Sequence, residues 1–137
     1  TKEQLIVEDK EDETLEENLL KCTITVESLI KEIKPQIIFT HHRGDANQDH
    51  RGIFRACIVA CRQYENSPFS NIYCYETLST TEQTPNYPEF SFLPNYFVNI
   101  ENVLEMKIDA MKCYDDELYD FPHPRSIEGI DFHNFEL

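Results

Sequence analysis

The chain has 137 residues, 40% hydrophobic and 12% aromatic, with only three glycines. That is enough apolar material for one packed core, too little for two comfortable domains, and unlike a disordered segment. The net charge of −14 argues against nucleic acid or an anionic membrane surface as a partner, because the long-range field repels both.

Much of that charge is local. Glu8 to Glu17 holds seven acidic residues in ten, and Asp115-Asp116-Glu117 forms a second cluster; both read as solvated surface. The five cysteines (Cys22, Cys57, Cys61, Cys74, Cys113) are scattered with no Cys-x-x-Cys pair, so neither a zinc ribbon nor a thioredoxin-like motif is supported. Apparently unpaired thiols suit a reducing compartment. No signal peptide stands at the start and no apolar run approaches ~18 residues, so the expectation is a soluble, cytoplasmic chain with no membrane segment.

In chain order, Leu5-Ile6-Val7 reads as a short strand. A helix is predicted from about Thr14 to Lys34, opened by a Thr14/Glu17 capping box and carrying Leu15, Leu19, Cys22, Val26, Ile30 and Ile33 on one stripe. The β-branched run Thr23 to Val26 leaves a strand there as the minority alternative. Pro35 closes the helix, since a residue preceding proline is pushed out of the helical region. Gln36 to Thr40 alternates too little for a one-sided strand and reads as one covered on both faces. A second helix is expected from about Asp49 to Tyr64, with Ile53, Ala56, Cys57, Ala60 and Cys61 buried, then a break at Asn66-Ser67-Pro68 and a strand at Ile72 to Tyr75. Helix, strand, helix, strand with short joins is the pattern of a parallel α/β sheet. Residues 76 to 99 read as a long ordered loop with short strands near Phe90 and Phe97. A last long helix from about Glu101 to Leu118, a proline-stiffened link Phe121 to Ser126 and a short helical turn up to Leu137 complete the chain.

The chemistry concentrates at Thr40-His41-His42-Arg43-Gly44-Asp45-Ala46-Asn47-Gln48-Asp49-His50-Arg51. Three of the five histidines fall where a strand hands over to a helix, a common layout for a site in α/β proteins. His50 would lie in the first turn of the helix, and a neutral imidazole with a free lone pair is what a divalent metal needs. His41 and His42 are adjacent, so their side chains diverge and at most one faces the site. Asp45 and Asn47 fit a turn, bonding to the local backbone. One histidine and two carboxylates do not complete a zinc site, which takes three protein ligands plus water in catalytic centres.

The order of motifs carries further information. His42-x-x-Asp45-x-Asn47-x-Asp49-His50-Arg51, then Ala60-Cys61-Arg62, Tyr75-Glu76-Thr77-Leu78-Ser79, Phe92-x-Pro94-Asn95 and Phe121-Pro122-His123-Pro124-Arg125-Ser126 resembles the PIG-L/LmbE-like family of zinc-dependent N-deacetylases, over roughly residues 12 to 130. The resemblance implies a single partial domain over residues 1–137, with a Rossmann-like three-layer fold, a mostly parallel sheet and an incomplete amino end. It also implies removal of acetyl groups from N-acetylglucosamine-type sugars or related amides. His50 falls on a zinc ligand and Asp49 on the aspartate that supports it. Asn47 falls where members often carry an oxyanion-stabilising histidine. Asp49 and His123 are thus the candidate catalytic groups, and Asn47, Asp45 and Arg125 the candidate substrate contacts.

The family's remaining zinc ligands and its general-base aspartate belong to an Ala-His-Pro-Asp-Asp-Glu motif, and no His-Pro-Asp-Asp occurs in these 137 residues. The expectation is therefore an amino-terminally incomplete enzyme with negligible activity by itself, and a sheet edge that favours association. The alternative is a non-catalytic carbohydrate-recognition or interaction protein, whose aromatic loop from Tyr75 to Tyr96 would stack on sugars.

Overall fold

A computed structural model describes residues 15, 17–62 and 69–135. The expected strand at Leu5 to Val7, the cap at Thr14 and the break at Asn66 to Pro68 lie outside the described residues. Helix α1 spans Leu19–Ile33, strand β1 Ile37–His41, helix α2 Gln48–Ala60, strand β2 Asn71–Tyr75, helix α3 Leu104–Lys112 and helix α4 Ile127–Phe135. The result is a mixed α/β chain whose described strands form a two-stranded parallel sheet.

Helix α1 begins at Leu19, later than its periodic stripe suggests, with Asn18 at the cap position and no side-chain cap bond. The β-branched run stays helical, and Thr23 turns its hydroxyl back to the Leu19 carbonyl, 2.8 Å away. The helix stops before Pro35, where Lys34 takes a left-handed conformation (φ 51°) and donates its N–H to the Ile30 carbonyl. A short join then delivers the chain into β1.

Strands β1 and β2 pair in parallel with Ile37 opposite Asn71, Phe39 opposite Tyr73 and His41 opposite Tyr75. Helix α2 makes the crossover between them and packs against both α1 and β1. The core lies along the α1–α2 packing, with Cys22 of α1, Ala56 and Cys57 of α2 and Cys61 just after α2 all buried. All five cysteines are free. Burial pushes the Cys57 thiol up, and burial followed by the neighbouring Cys57 pushes Cys61 up to about 11, so these thiols behave as packing groups.

One expectation for β1 is corrected. The strand is covered on one face only: Thr40 is 3% exposed, while Phe39 on the opposite face is 67% exposed. Side chains alternate across a strand, so α2 covers one set and no described helix covers the other. The long loop is ordered as expected, but residues 85–100 form no strand. Pro85, Pro88 and Pro94 lack the N–H that a ladder requires. The expected long helix is shorter too: a 3-10 turn at Glu101–Val103 leads into α3, which ends at Lys112 before a second 3-10 turn at Asp115–Glu117. Among the described residues, no helix is long and apolar enough to cross a membrane.

Candidate functional site

The carboxyl ends of β1 and β2 and the amino end of α2 meet at one place, as a parallel β-α-β unit requires. Asn47 caps α2, its Oδ1 accepting from Asp49 N at 2.8 Å and His50 N at 3.3 Å. This fixes the first helical turn, and with it the ring of His50.

Asp45 is the buried anchor of the loop, 1% exposed. Its Oδ1 accepts from Asn47 N at 2.8 Å, and its Oδ2 accepts from the hydroxyls of Thr80 at 3.0 Å and Thr81 at 2.7 Å. His50 Nδ1 lies 3.1 Å from Asp45 Oδ1. Buried His50 Nδ1 makes no hydrogen bond among the described residues, so the carboxylate stands beside the ring as a close contact. Burial alone would raise the Asp45 carboxyl, but hydrogen bonds from Thr81, Asn47 and Thr80, together with the close His50 ring, outweigh it and hold the group below its usual range.

The carboxylate beside the His50 ring is therefore Asp45. Asp49, expected in that supporting position, accepts Leu15 N at 2.9 Å and ties α2 to the entry of α1. Arg51 closes the turn from the other side, its Nη1 donating to the carbonyls of Asp45 and Ala46, both at 2.8 Å.

His41 ends β1 and His42 follows it, and both line one open cleft, so the expectation that at most one of them faces the site is corrected. His42 is buried and its Nε2 lies 2.8 Å from the Phe90 carbonyl. His41 stacks on His50, the ring centroids 3.9 Å apart and the planes within 2°. Its Nδ1 meets Thr77 Oγ1 at 3.3 Å and its Nε2 meets Tyr75 Oη at 3.2 Å. Burial, then the charge of His50, lowers His41 from 6.5 to about 4 against the opposing pull of Asp45, so it is a neutral ring at physiological pH.

The loop after β2 is clamped onto this site. Ala46 N donates to Thr80 O at 3.2 Å, and Thr84 Oγ1 donates to the Gly44 carbonyl at 2.6 Å. Gly44 is needed for the close approach, because a Cβ there would stand 2.3 Å from the Phe90 carbonyl oxygen.

His123 and Arg125 form a second group. Arg125 N donates to His123 Nδ1 at 3.1 Å, and the His123 ring packs against Tyr119 with centroids 4.3 Å apart. The Arg125 guanidinium lies 5.2 Å above the Tyr119 ring and pairs with Glu117. Ser126, 1% exposed, opens α4 by accepting Gly129 N at 2.9 Å.

The two groups meet at an open cleft of about 2110 Å³, whose wall includes His41, Tyr75, Tyr73, Tyr96 and Arg125. His50, Asp45, Asn47 and His123 do not line it. Among the described residues, no group of three or more His, Cys, Asp or Glu side chains gathers to hold a metal. The imidazole of His50 fits the donor chemistry of a zinc ligand. The residues that reasoning from spacing missed are Thr80, Thr81, Tyr75 and Thr77. Only the Tyr75-Glu76-Thr77-Leu78-Ser79 motif of the family resemblance hinted at the last two. No protein-family model matches the chain, and no curated protein or solved structure matches it.

Proposed function

We propose that the chain carries part of the active site of a zinc-dependent N-deacetylase of the PIG-L/LmbE-like type, on a Rossmann-like three-layer fold. Its substrates are the acetamides of N-acetylglucosamine-type sugars or related amides. The observation that carries the reading is the buried carboxylate of Asp45 beside His50 Nδ1, at the carboxyl end of a parallel strand. A carboxylate on one ring nitrogen fixes orientation and raises the basicity of the other, as in carboxylate–histidine–metal arrangements.

In this reading His50 binds zinc through Nε2, and the other ligands come from outside the described residues. Bound zinc supplies Lewis acidity and an acidified water for attack on the amide carbonyl. Asp45 orients His50, Asn47 sets the helical turn that presents it, and Asp49 holds that turn to the approach of α1. Arg125 lies on the cleft wall, where its planar guanidinium suits hydroxyl and carbonyl acceptors. His123 positions Arg125 by accepting its backbone N–H.

The second reading, a non-catalytic carbohydrate-recognition protein, is favoured by the aromatic cleft, where Tyr73 stacks between Phe39 and Tyr96. Zinc affinity separates the two. In an equilibrium titration with Zn²⁺, the native chain should bind metal more tightly than His50→Ala. Equal Zn²⁺ affinity in both variants would sink the deacetylase reading. Saccharide binding with no His50-dependent zinc would establish the second.

A further inference from the structure

The open face of the β1–β2 sheet carries a row of aromatic rings that leads away from the His50 site. Side chains two apart on a strand share a face, so Phe39 and Tyr73 lie on the face of His41 and Tyr75, about 7 Å further down the strands. Phe39 stacks on Tyr73 with ring centroids 5.6 Å apart, and Tyr96 of the long loop approaches Tyr73 at 4.9 Å. Phe39 and Tyr96 are nevertheless 67% and 62% exposed, so the three rings form an open shelf rather than a sealed core. All three line the cleft that also takes in His41 and Tyr75, and its 2110 Å³ exceeds the roughly 300–1,000 Å³ of clefts that enclose one small molecule. Charges on its wall balance: Arg43, Lys107 and Arg125 are matched by Glu76, Glu101 and Glu117, with Arg125 paired to Glu117 and Lys107 in the field of Glu76. A balanced wall steers neither anions nor cations and suits a neutral ligand. The Asn95 carboxamide and the amide nitrogen of Asn99, whose oxygen holds Glu101 N, add hydrogen-bonding groups for hydroxyls.

We propose that the Phe39–Tyr73–Tyr96 shelf is a second saccharide subsite, which takes the neighbouring unit of a neutral oligosaccharide whose N-acetylated unit lies at the His41–Tyr75 end. A pyranose ring presents an apolar C–H face and a rim of hydroxyls, so aromatic rings beneath it and carboxamides beside it match both. The two ends of the row are far enough apart for adjacent sugar units. The assignment rests on a saccharide ligand, which both readings above share, and deepens them: the ligand is a chain of two or more sugars rather than a free monosaccharide.

The test is an NMR-monitored titration of the full chain with N-acetylglucosamine and, separately, with its β-1,4-linked dimer N,N′-diacetylchitobiose. The native chain should bind the disaccharide about two- to tenfold more tightly, the worth of one ring stacked on an aromatic face. Phe39→Ala should abolish that preference and leave N-acetylglucosamine affinity unchanged. Tyr96→Ala should weaken the preference in the same direction. If Phe39→Ala lowers the urea midpoint, Tyr96→Ala, on the loop and outside the sheet, carries the test. Equal affinity of the native chain for the two sugars, or a preference that survives both substitutions, overturns the subsite and leaves the deacetylase reading to the Zn²⁺ titration. Binding of neither sugar overturns the subsite and the carbohydrate-recognition reading together. A native chain that sediments as a dimer, and as a monomer in Phe39→Ala, also overturns it, because a second copy then covers the shelf.

Discussion

Replacing Asp45 with alanine removes the acceptor on which the whole loop converges. Three hydrogen bonds and the close contact with His50 are lost together. The consequences differ among the partners. Thr80 Oγ1 still donates to the Thr77 carbonyl, and Thr81 Oγ1 still accepts from Thr77 N, so both hydroxyls keep one partner. The part-buried Asn47 N–H loses its acceptor, which costs up to about 1–3 kcal/mol where water does not reach it. The bonds to a charged carboxylate add about 1.5–3 kcal/mol each before relief from desolvating it, so the net loss should be about 3–5 kcal/mol. Urea unfolding followed by circular dichroism measures this directly. At a slope of about 2 kcal/mol per molar, the midpoint should fall by about 1.5–2.5 M with the slope unchanged. Asp45→Asn, which keeps one acceptor and the shape, should lose less than half as much.

The pH dependence follows from the same carboxylate. Its folded value lies below the ordinary 3.8, so its stabilisation is fully present above about pH 4 and is lost as pH falls through the folded value. That acid-side loss should be absent in Asp45→Asn. A midpoint shift in Asp45→Ala equivalent to less than about 1 kcal/mol would refute the anchoring role assigned to this residue.

Three further outcomes are expected. His41 is depressed from 6.5 to about 4, so the unfolded chain takes up a proton between those values and the folded chain does not; stability should fall as pH drops from 6.5 to 4 and level off below. The ring is half solvated, so the loss should be about 1–2 kcal/mol rather than the ~3 kcal/mol of the undiscounted shift, and His41→Phe should flatten it in urea titrations at stepped pH. Gly44→Ala drives a methyl into the Phe90 carbonyl and should cost about 1–3 kcal/mol, read as a lower melting temperature with altered resonances across residues 84–92. Asn47→Ala should cost about 1 kcal/mol while Asn47→Asp keeps most of the stability, because both amide donors need only a cap oxygen.

The parts of the fold that follow local rules were legible in the residues. The three- and four-residue spacing located α1 and α2, Pro35 located the end of α1, and the apolar runs located β1 and β2. The parallel pairing followed from the helix between the strands. Helix lengths were not, because the periodic stripe of α1 extends beyond its first helical turn and α3 stops short of Leu118 at a 3-10 turn. Exposure of Phe39 was not legible either, since an apolar run does not reveal whether an element covers its second face.

At the site, the position of His50 in the first turn of α2 could be read from the sequence, because capping chemistry is local. Which aspartate touches its ring could not. Asp49 is the neighbour in sequence, but the first turn of the helix carries it toward Leu15, while Asp45 folds back under His50. The hydroxyls of Thr80 and Thr81 lie 35 and 36 residues from Asp45 in sequence, and no local pattern announces donors that arrive by tertiary folding.

A Zn²⁺ titration watched at the histidine ring nitrogens decides whether His50 is a metal ligand. Zinc should move the Nε2 resonance of His50 ahead of every other histidine, with the response weakened in Asp45→Asn, where the orienting charge is gone. Zinc that perturbs other histidines or the cysteines first, with His50 Nε2 unmoved at saturation, would contradict the metal-site reading.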